Sequence, residues 1–209
     1  MSKRNLEMFE HLGYCVVKNV IAKDVLDIAT QYALFDESQN FNGTDEQVEG
    51  THSKYADPLM EVLLLKLQKI MEQNTGLELY PTYSYYRVYR DGDELRPHTD
   101  RPSCEISCTM HIGTNDENTK WPIYMNGGSI KQAPGDIVIY KGMDLEHWRE
   151  PLECNNSNFF QVQGFFHFVN KNGQYAEYKF DKRNFIGEHK RNLSSRDSLS
   201  KKHYIEYTR

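Results

Sequence analysis

His98, Asp100 and His147 are the residues of this chain whose types and spacing could do chemistry. In His98-Thr99-Asp100 an imidazole and a carboxylate stand two positions apart, and on a β-strand such residues face the same way. A histidine from a distant strand, His147, can then complete three ligands on one face of a metal ion. Two histidines and one carboxylate, with open positions opposite, suit non-haem Fe(II) and oxygen chemistry. The alternative is two surface histidines and a capping aspartate. The surroundings favour the metal: residues 90–97 are rich in turn formers ahead of His98, a strong strand follows, and a Pro134-Gly135-Asp136 turn with an apolar strand precedes His147.

Those residues need strands to hold them. From Gly76 onward short β-like segments appear at 82–90, 105–112, 122–125, 136–140 and 159–169, separated by Gly-rich breaks. Many short strands with turn signals between them predict a sandwich or barrel. Ahead of them, residues 5–12, 22–33 and 58–74 have helical spacing, and 13–17 reads as a strand. Val25, Ile28 and Ala29 are expected on the buried face of the second helix. Leu59, Val62, Leu63, Leu67 and Ile70 are expected on that of the third, with Lys66 at its edge. Asp57-Pro58 opens the third helix in the cap-then-proline order. The polar stretch 35–51 reads as a loop, and loops 35–52 and 114–120 are expected to build a substrate pocket. Helices first and strands after predict an α+β, mainly β fold, with helices backing an antiparallel sheet.

The chain has 209 residues, enough for one domain, and 12% of them are aromatic, which favours a β-rich core. The net charge is −5. Residues 182–209 carry eight Lys/Arg against three acids, so they form a basic C-terminal extension to a single domain over 1–181. No nucleic-acid motif accompanies that charge, so no nucleic-acid partner is expected. No apolar run reaches membrane-spanning length and no secretory leader opens the sequence, which predicts a cytoplasmic protein with no membrane partner. Cys15, Cys104, Cys108 and Cys154 form no Cys-x-x-Cys pair and are expected to be free.

Tyr89 followed after eight residues by His98-x-Asp100, the strand 104–113, the Pro-Gly-Asp turn, and His147 leading into an aromatic strand together resemble the 2-oxoglutarate and Fe(II)-dependent oxygenases. The likeness is nearest to their prolyl 4-hydroxylase-like branch and runs from about residue 83 to 170; the N-terminal helices also suit it. The resemblance implies a double-stranded β-helix, or jelly roll, with Fe(II) at its open end on His98, Asp100 and His147 as the catalytic and metal residues. It implies 2-oxoglutarate as cosubstrate with O2, succinate and CO2 as products, and a C–H bond of a small molecule or peptide, prolyl-type among them, as target. Asp100 favours hydroxylation, because a halogenase of this kind needs a small residue there. The same fold could instead serve as a non-catalytic metal or 2-oxoglutarate sensor.

A dicarboxylate needs a cation or several donors at its far end. Related hydroxylases carry a Lys or Arg downstream of the second iron histidine, whereas residues 154–167 here contain neither. Arg149 is the substitute: two residues past His147 it points the same way, and its planar fork suits a carboxylate. His111 stands where related enzymes carry a tyrosine, Tyr89 matches a tyrosine lining the cosubstrate pocket, and Gln161 and Thr109 could donate further bonds. Arg149 could instead pair with Glu146 or Glu150, and His111 could be a satisfied core histidine. His167 is expected to pack or to support a ligand. Arg101 could hold a substrate carboxylate or Asp100. Trp121 and Trp148 are substrate wall or packing. Cys104 and Cys108 are expected on one strand face.

Overall fold

The computed structural model describes residues 3–40, 45, 47–154 and 156–188. Three helices precede most of the strands: α1 (Lys3–Leu12), β1 (Tyr14–Val17), α2 (Lys23–Asn40), β2 (His52–Tyr55) and α3 (Pro58–Thr75). Then come β3 (Leu79–Tyr89), β4 (Leu95–His98), β5 (Ile106–Thr114), β6 (Ile123–Met125), β7 (Gly128–Ile130), β8 (Ile137–Lys141), β9 (His147–Arg149) and β10 (Gln161–Asn170). They form two antiparallel sheets, ordered β1-β8-β5-β10-β3-β2 and β4-β9-β6-β7. No helix among the described residues is long and apolar enough to cross a membrane.

The large sheet divides its residues by the period-2 rule. Cys108, Met110, Ile112, Ile137, Ile139, Tyr86, Val88, Val162, Phe166 and Phe168 join one apolar core with residues of α1, α2 and α3. The alternate positions carry the chemistry: Tyr83, Tyr85, Arg87 and Tyr89 on β3, Ser107, Thr109 and His111 on β5, and Gln161, Gln163, Phe165 and His167 on β10. They pair across strands, with Gln163 opposite both Arg87 and His111, and His167 opposite both Tyr83 and Ser107. The small sheet closes over part of this face, where Ile123, Met125 and Ile130 pack on Val138 and Tyr140.

The Asp57 side chain caps α3 by accepting from the Leu59 and Met60 amides, Pro58 follows it, and Gly76 ends the helix at φ 72°. The buried stripes differ from the expected ones. On α3 they are Met60, Leu63, Leu64, Leu67 and Met71, while Val62 is 62% exposed; on α2 Leu26, Ala29 and Ala33 are buried and Ile28 is 63% exposed. Both helices have more than one apolar stripe, and spacing alone does not choose between them. Residues 35–40, expected as loop, continue α2. Cys104 sits in a 3-10 turn (Pro102–Cys104) ahead of β5, so it does not share a strand face with Cys108; all four cysteines are free.

The start of the basic extension is docked. Arg183 is buried and donates to Glu61 at 2.6 Å and to the Thr82 carbonyl at 2.9 Å. Residues 189–209, which hold most of its charge, lie outside the described residues.

Candidate metal centre and anion pocket

β4 and β9 bring the triad together: His98 and His147 are direct cross-strand partners. Their rings lie 4.3 Å apart, and their Nε2 atoms are 3.9 and 3.8 Å from Asp100 Oδ1. One ligand atom from each of the three lies within 4.8 Å of the others, a set that could hold a metal ion. Each histidine is oriented from behind. His98 Nδ1–H donates to the Arg96 carbonyl at 2.8 Å and His147 Nδ1–H to that of Leu145 at 2.9 Å, which leaves both Nε2 lone pairs free. Burial lowers both imidazole pKa values, the neighbouring ring adding to the effect on His98, so the neutral ligand form is favoured.

Asp100 follows β4 and is fixed by its backbone, its N–H donating to the Gly142 carbonyl at 2.9 Å. A Cβ on Gly142 would meet Asp100 Oδ2 at 2.4 Å and the Cys104 carbonyl at 2.3 Å, so only glycine fits. Ser107 Oγ lies 3.2 Å from Asp100 Oδ2 and 2.8 Å from His167 Nδ1. Burial pushes the Asp100 carboxyl up to about 6. Among the described residues, a carboxylate raised that far beside two neutral imidazoles is a set that a dication would relieve.

The triad opens on a cavity of about 580 Å³, walled by Tyr55, Tyr83, Tyr85, Phe165, Tyr140 and His167 among others. Two arginines on its wall are each held by a carboxylate. Arg87 is clamped by Asp45 (Nε to Oδ2 2.5 Å), which also accepts from Tyr85 and from the Gln47 and Val48 amides. Arg101 forms a two-point pair with Asp181 at 2.8 and 2.9 Å and lies 4.6 Å over the Tyr83 ring. Asp181 also accepts from Ser103 and Tyr55, and it is delivered by a left-handed run, Phe180 to Lys182 having φ of 56°, 56° and 60°. Arg101 therefore makes its hydrogen bonds to Asp181 and Ser103, and it acts on Asp100 only through its charge, which favours the ionised carboxylate. The 35–52 stretch contributes Asp45 and Gln47 to the wall; residues 114–120 contribute nothing.

Behind that wall the five residues expected around a dicarboxylate meet. Arg149 is buried over Trp121, whose ring centroid is 4.8 Å from the guanidinium. It donates to the Trp121 carbonyl at 2.6 Å and to Gln132 Oε1 at 3.1 Å, and its Nε–H has no acceptor among the described residues. Neither Glu146 nor Glu150 pairs with it: Glu150 instead accepts from both tryptophan indoles, by its carbonyl from Trp121 and by its carboxylate from Trp148. Burial drops the Arg149 pKa to about 10. Gln132 Nε2 donates to the Thr109 carbonyl, Gln163 Nε2 to Thr109 Oγ1 at 2.6 Å, and Gln161 Nε2 to Gln163. His111 Nδ1–H reaches the Gln132 carbonyl at 3.2 Å, its Nε2 is buried without a partner, and burial lowers its pKa to about 4. Tyr89 packs edge-on to Trp121 and accepts from Arg87. Sequence reasoning missed Arg87, Gln132 and Gln163. Arg87 and Gln163 carried a signal in their alternation with Tyr85, Tyr89 and Gln161; Gln132 sits in a loop and carried none.

No protein-family model and no curated protein matches the sequence. Solved structures do match by shape. A Pseudomonas putida prolyl-4-hydroxylase superposes with a TM-score of 0.63 at 14% identity, covering 80% of this chain and 98% of its own. The non-haem α-ketoglutarate-dependent epimerase SnoN from nogalamycin biosynthesis gives 0.65 at 9% identity, covering 80% and 82%. EctD from S. alaskensis, solved with 2-oxoglutarate and 5-hydroxyectoine, gives 0.62 at 13%, covering 81% and 76%. The chain shares its fold with these three proteins.

Proposed function

We propose that this chain is an Fe(II)- and 2-oxoglutarate-dependent dioxygenase, a single double-stranded β-helix domain that hydroxylates a C–H bond of a small molecule or peptide. The observation that carries the reading is Arg149: a fully buried cation that meets no carboxylate among the described residues, two residues from His147 on the same strand face. Buried arginine without an anion is costly, and here the cost falls beside a ready set of metal ligands. Fe(II) bound by His98, Asp100 and His147 would supply O2 activation, with the electrons of 2-oxoglutarate released as it becomes succinate and CO2.

The residues divide the remaining work. His98 and His147 offer lone pairs aimed by their Nδ1 hydrogen bonds, and Asp100 supplies the negative charge that retains a dication. Arg149 neutralises the far carboxylate of the cosubstrate. The Arg149 Nε–H is open to that carboxylate, and Gln132, Thr109, Gln163 and Gln161 form a chain of amides and a hydroxyl that can re-pair around the newcomer. Tyr89 and Trp121 exclude water from that end. Free cysteines fit a reducing, cytoplasmic setting.

Anaerobic titration of the Fe(II)-loaded protein with 2-oxoglutarate tests the reading. A visible charge-transfer band should appear, and succinate should form on admitting O2. A band with no succinate identifies a sensor, and neither signal ends the proposal.

A further inference from the structure

A second group of ligand atoms faces the same cavity. One ligand atom each of Asp100, Cys104 and His167 lies within 4.8 Å of the others, the bound that the triad also meets. Of the four cysteines only Cys104 lines the cavity; Cys15 and Cys108 belong to the core between sheet and helices, and Cys154 lies on the loop ahead of β10. His167 is prepared as a ligand in the way that His98 and His147 are. Its Nδ1 is engaged by Ser107 Oγ at 2.8 Å, and Ser107 also reaches Asp100 Oδ2 and the Cys104 carbonyl. A serine hydroxyl has one proton, so His167 can donate Nδ1–H to Ser107 while Ser107 donates onward to the carboxylate. That tautomer leaves the His167 Nε2 lone pair free. Burial drops its pKa to about 3, so the ring is neutral at physiological pH. The Tyr83 hydroxyl, 3.0 Å from Cys104 Sγ, is the other polar group against the thiol.

We propose that Asp100, Cys104 and His167 form a second metal seat, for a soft divalent ion such as Zn2+ or Cd2+, that competes with the triad for Asp100. One sulfur, one nitrogen and one oxygen suit a tetrahedral zinc, with the fourth position open to water. Zinc–sulfur and zinc–nitrogen bonds of ordinary length place sulfur and nitrogen about 3.5 Å apart, so the three side chains close in by rotamer adjustment. The Cys104 thiol is protonated before binding, because burial pushes its pKa up strongly. Binding therefore exchanges the S–H bond for a metal–sulfur bond and releases the proton to water. Only a thiophilic ion recovers that cost, and the seat so discriminates against Fe(II) and Mg2+. The two seats share one carboxylate, so an ion held by Cys104 and His167 withdraws Asp100 from the imidazoles of His98 and His147.

Cadmium titration of the purified metal-free full chain, followed by ultraviolet absorption, tests this without reference to turnover. The wild type should develop a thiolate-to-cadmium charge-transfer band that saturates at one ion per chain. Cys104→Ser should abolish it. His167→Gln, which keeps the thiol and serves if the serine variant does not fold, should weaken cadmium binding by at least about a hundredfold, more than loss of an outer hydrogen-bond partner costs. His147→Ala should keep the band. No band in the wild type, or a band that survives Cys104→Ser and so arises at Cys154, would overturn the proposal. A band lost in His147→Ala and untouched by His167→Gln would overturn it equally, since Cys104 would then hold cadmium together with His147 rather than His167.

Discussion

Arg87 and Arg101, on the wall of the cavity, each meet a carboxylate; Arg149, behind it, meets a carbonyl, an amide and the face of an indole. The paired arginines take their partners from segments outside the central strands, Asp45 from the stretch after α2 and Asp181 from the C-terminal turn. Burial would raise both acids, and the arginine and hydroxyl hydrogen bonds outweigh it, so both are held below the ordinary carboxylate range. At Arg149 burial outweighs the nearby Tyr89 and Tyr140, which favour the charge, and its pKa falls from 12.5 to about 10. That shift corresponds to a cost on the order of 3 kcal/mol at neutral pH. The sign follows from linkage. A cation with a depressed folded pKa costs stability at every pH below about 10, and the cost fades as pH rises toward 12.5. The wall arginines are held by carboxylates of the chain itself, whereas on the proposed reading Arg149 is the charge that an anion from outside would neutralise.

The largest effects belong to the triad that lies between these charges. Asp100→Ala or His147→Ala should abolish iron-dependent succinate formation, and unchanged turnover in both would remove the metal reading altogether. Arg149→Met comes next and bears on the comparison directly. It should raise the 2-oxoglutarate requirement by about a hundredfold or more, the range for a buried charge pair that loses one partner. In the same variant the ligand-free fold should be as stable as the wild type or more so, because an uncompensated cation has been replaced by an apolar chain. A large loss of Tm in Arg149→Met would show that Arg149 is structural after all. Asp45→Ala should behave oppositely: it leaves Arg87 buried without its carboxylate, and denaturant unfolding should show a loss of about 3–5 kcal/mol. Equal unfolding midpoints for Asp45→Ala and Arg149→Met would erase the distinction between wall and interior.

Legibility in the sequence followed the range of the interactions. The strands that became β3, β5, β8 and β10 were readable as alternating or apolar runs bounded by turn formers, and the short β1 and β6 were readable because apolar and aromatic residues fill them. β2, β4, β7 and β9, with three or four residues each, include polar or turn-forming residues and show neither signal. The meeting of His98, Asp100 and His147 was expected from His98-x-Asp100 and a distant histidine, although β4 and β9, the strands that align them, were not read. Arg149 was singled out by its place after His147, and its isolation could be recognised only once Glu146 and Glu150 were seen to turn away. Asp181 lies 80 residues from Arg101 and Asp45 lies 42 from Arg87. No local pattern announces such pairs, so Arg101 read as a free cation and Arg87 went unnoticed.

The smallest predicted effect is in the pH dependence of metal loading, and it separates Asp100 from the two paired acids. Burial raises Asp100 to about 6, so the folded metal-free protein holds a proton there that the unfolded chain has lost. Stability from this group should therefore fall as pH rises from about 4 to about 6, the reverse of an ordinary paired aspartate. A metal ion needs Asp100 ionised. Burial lowers the pKa values of His98 and His147, the other ring adding to the effect on His98, which moves their proton loss away from that of Asp100 toward lower pH. From Asp100 alone one proton is exchanged per ion, and this contribution to Co(II) affinity should increase up to about tenfold per pH unit below about pH 6 and level off above it. Asp181, held low by Arg101, Ser103 and Tyr55, keeps its pair intact throughout this range. Loading with no inflection near pH 6, or a plateau reached only well above 7, would mean that the histidines rather than Asp100 set the proton cost.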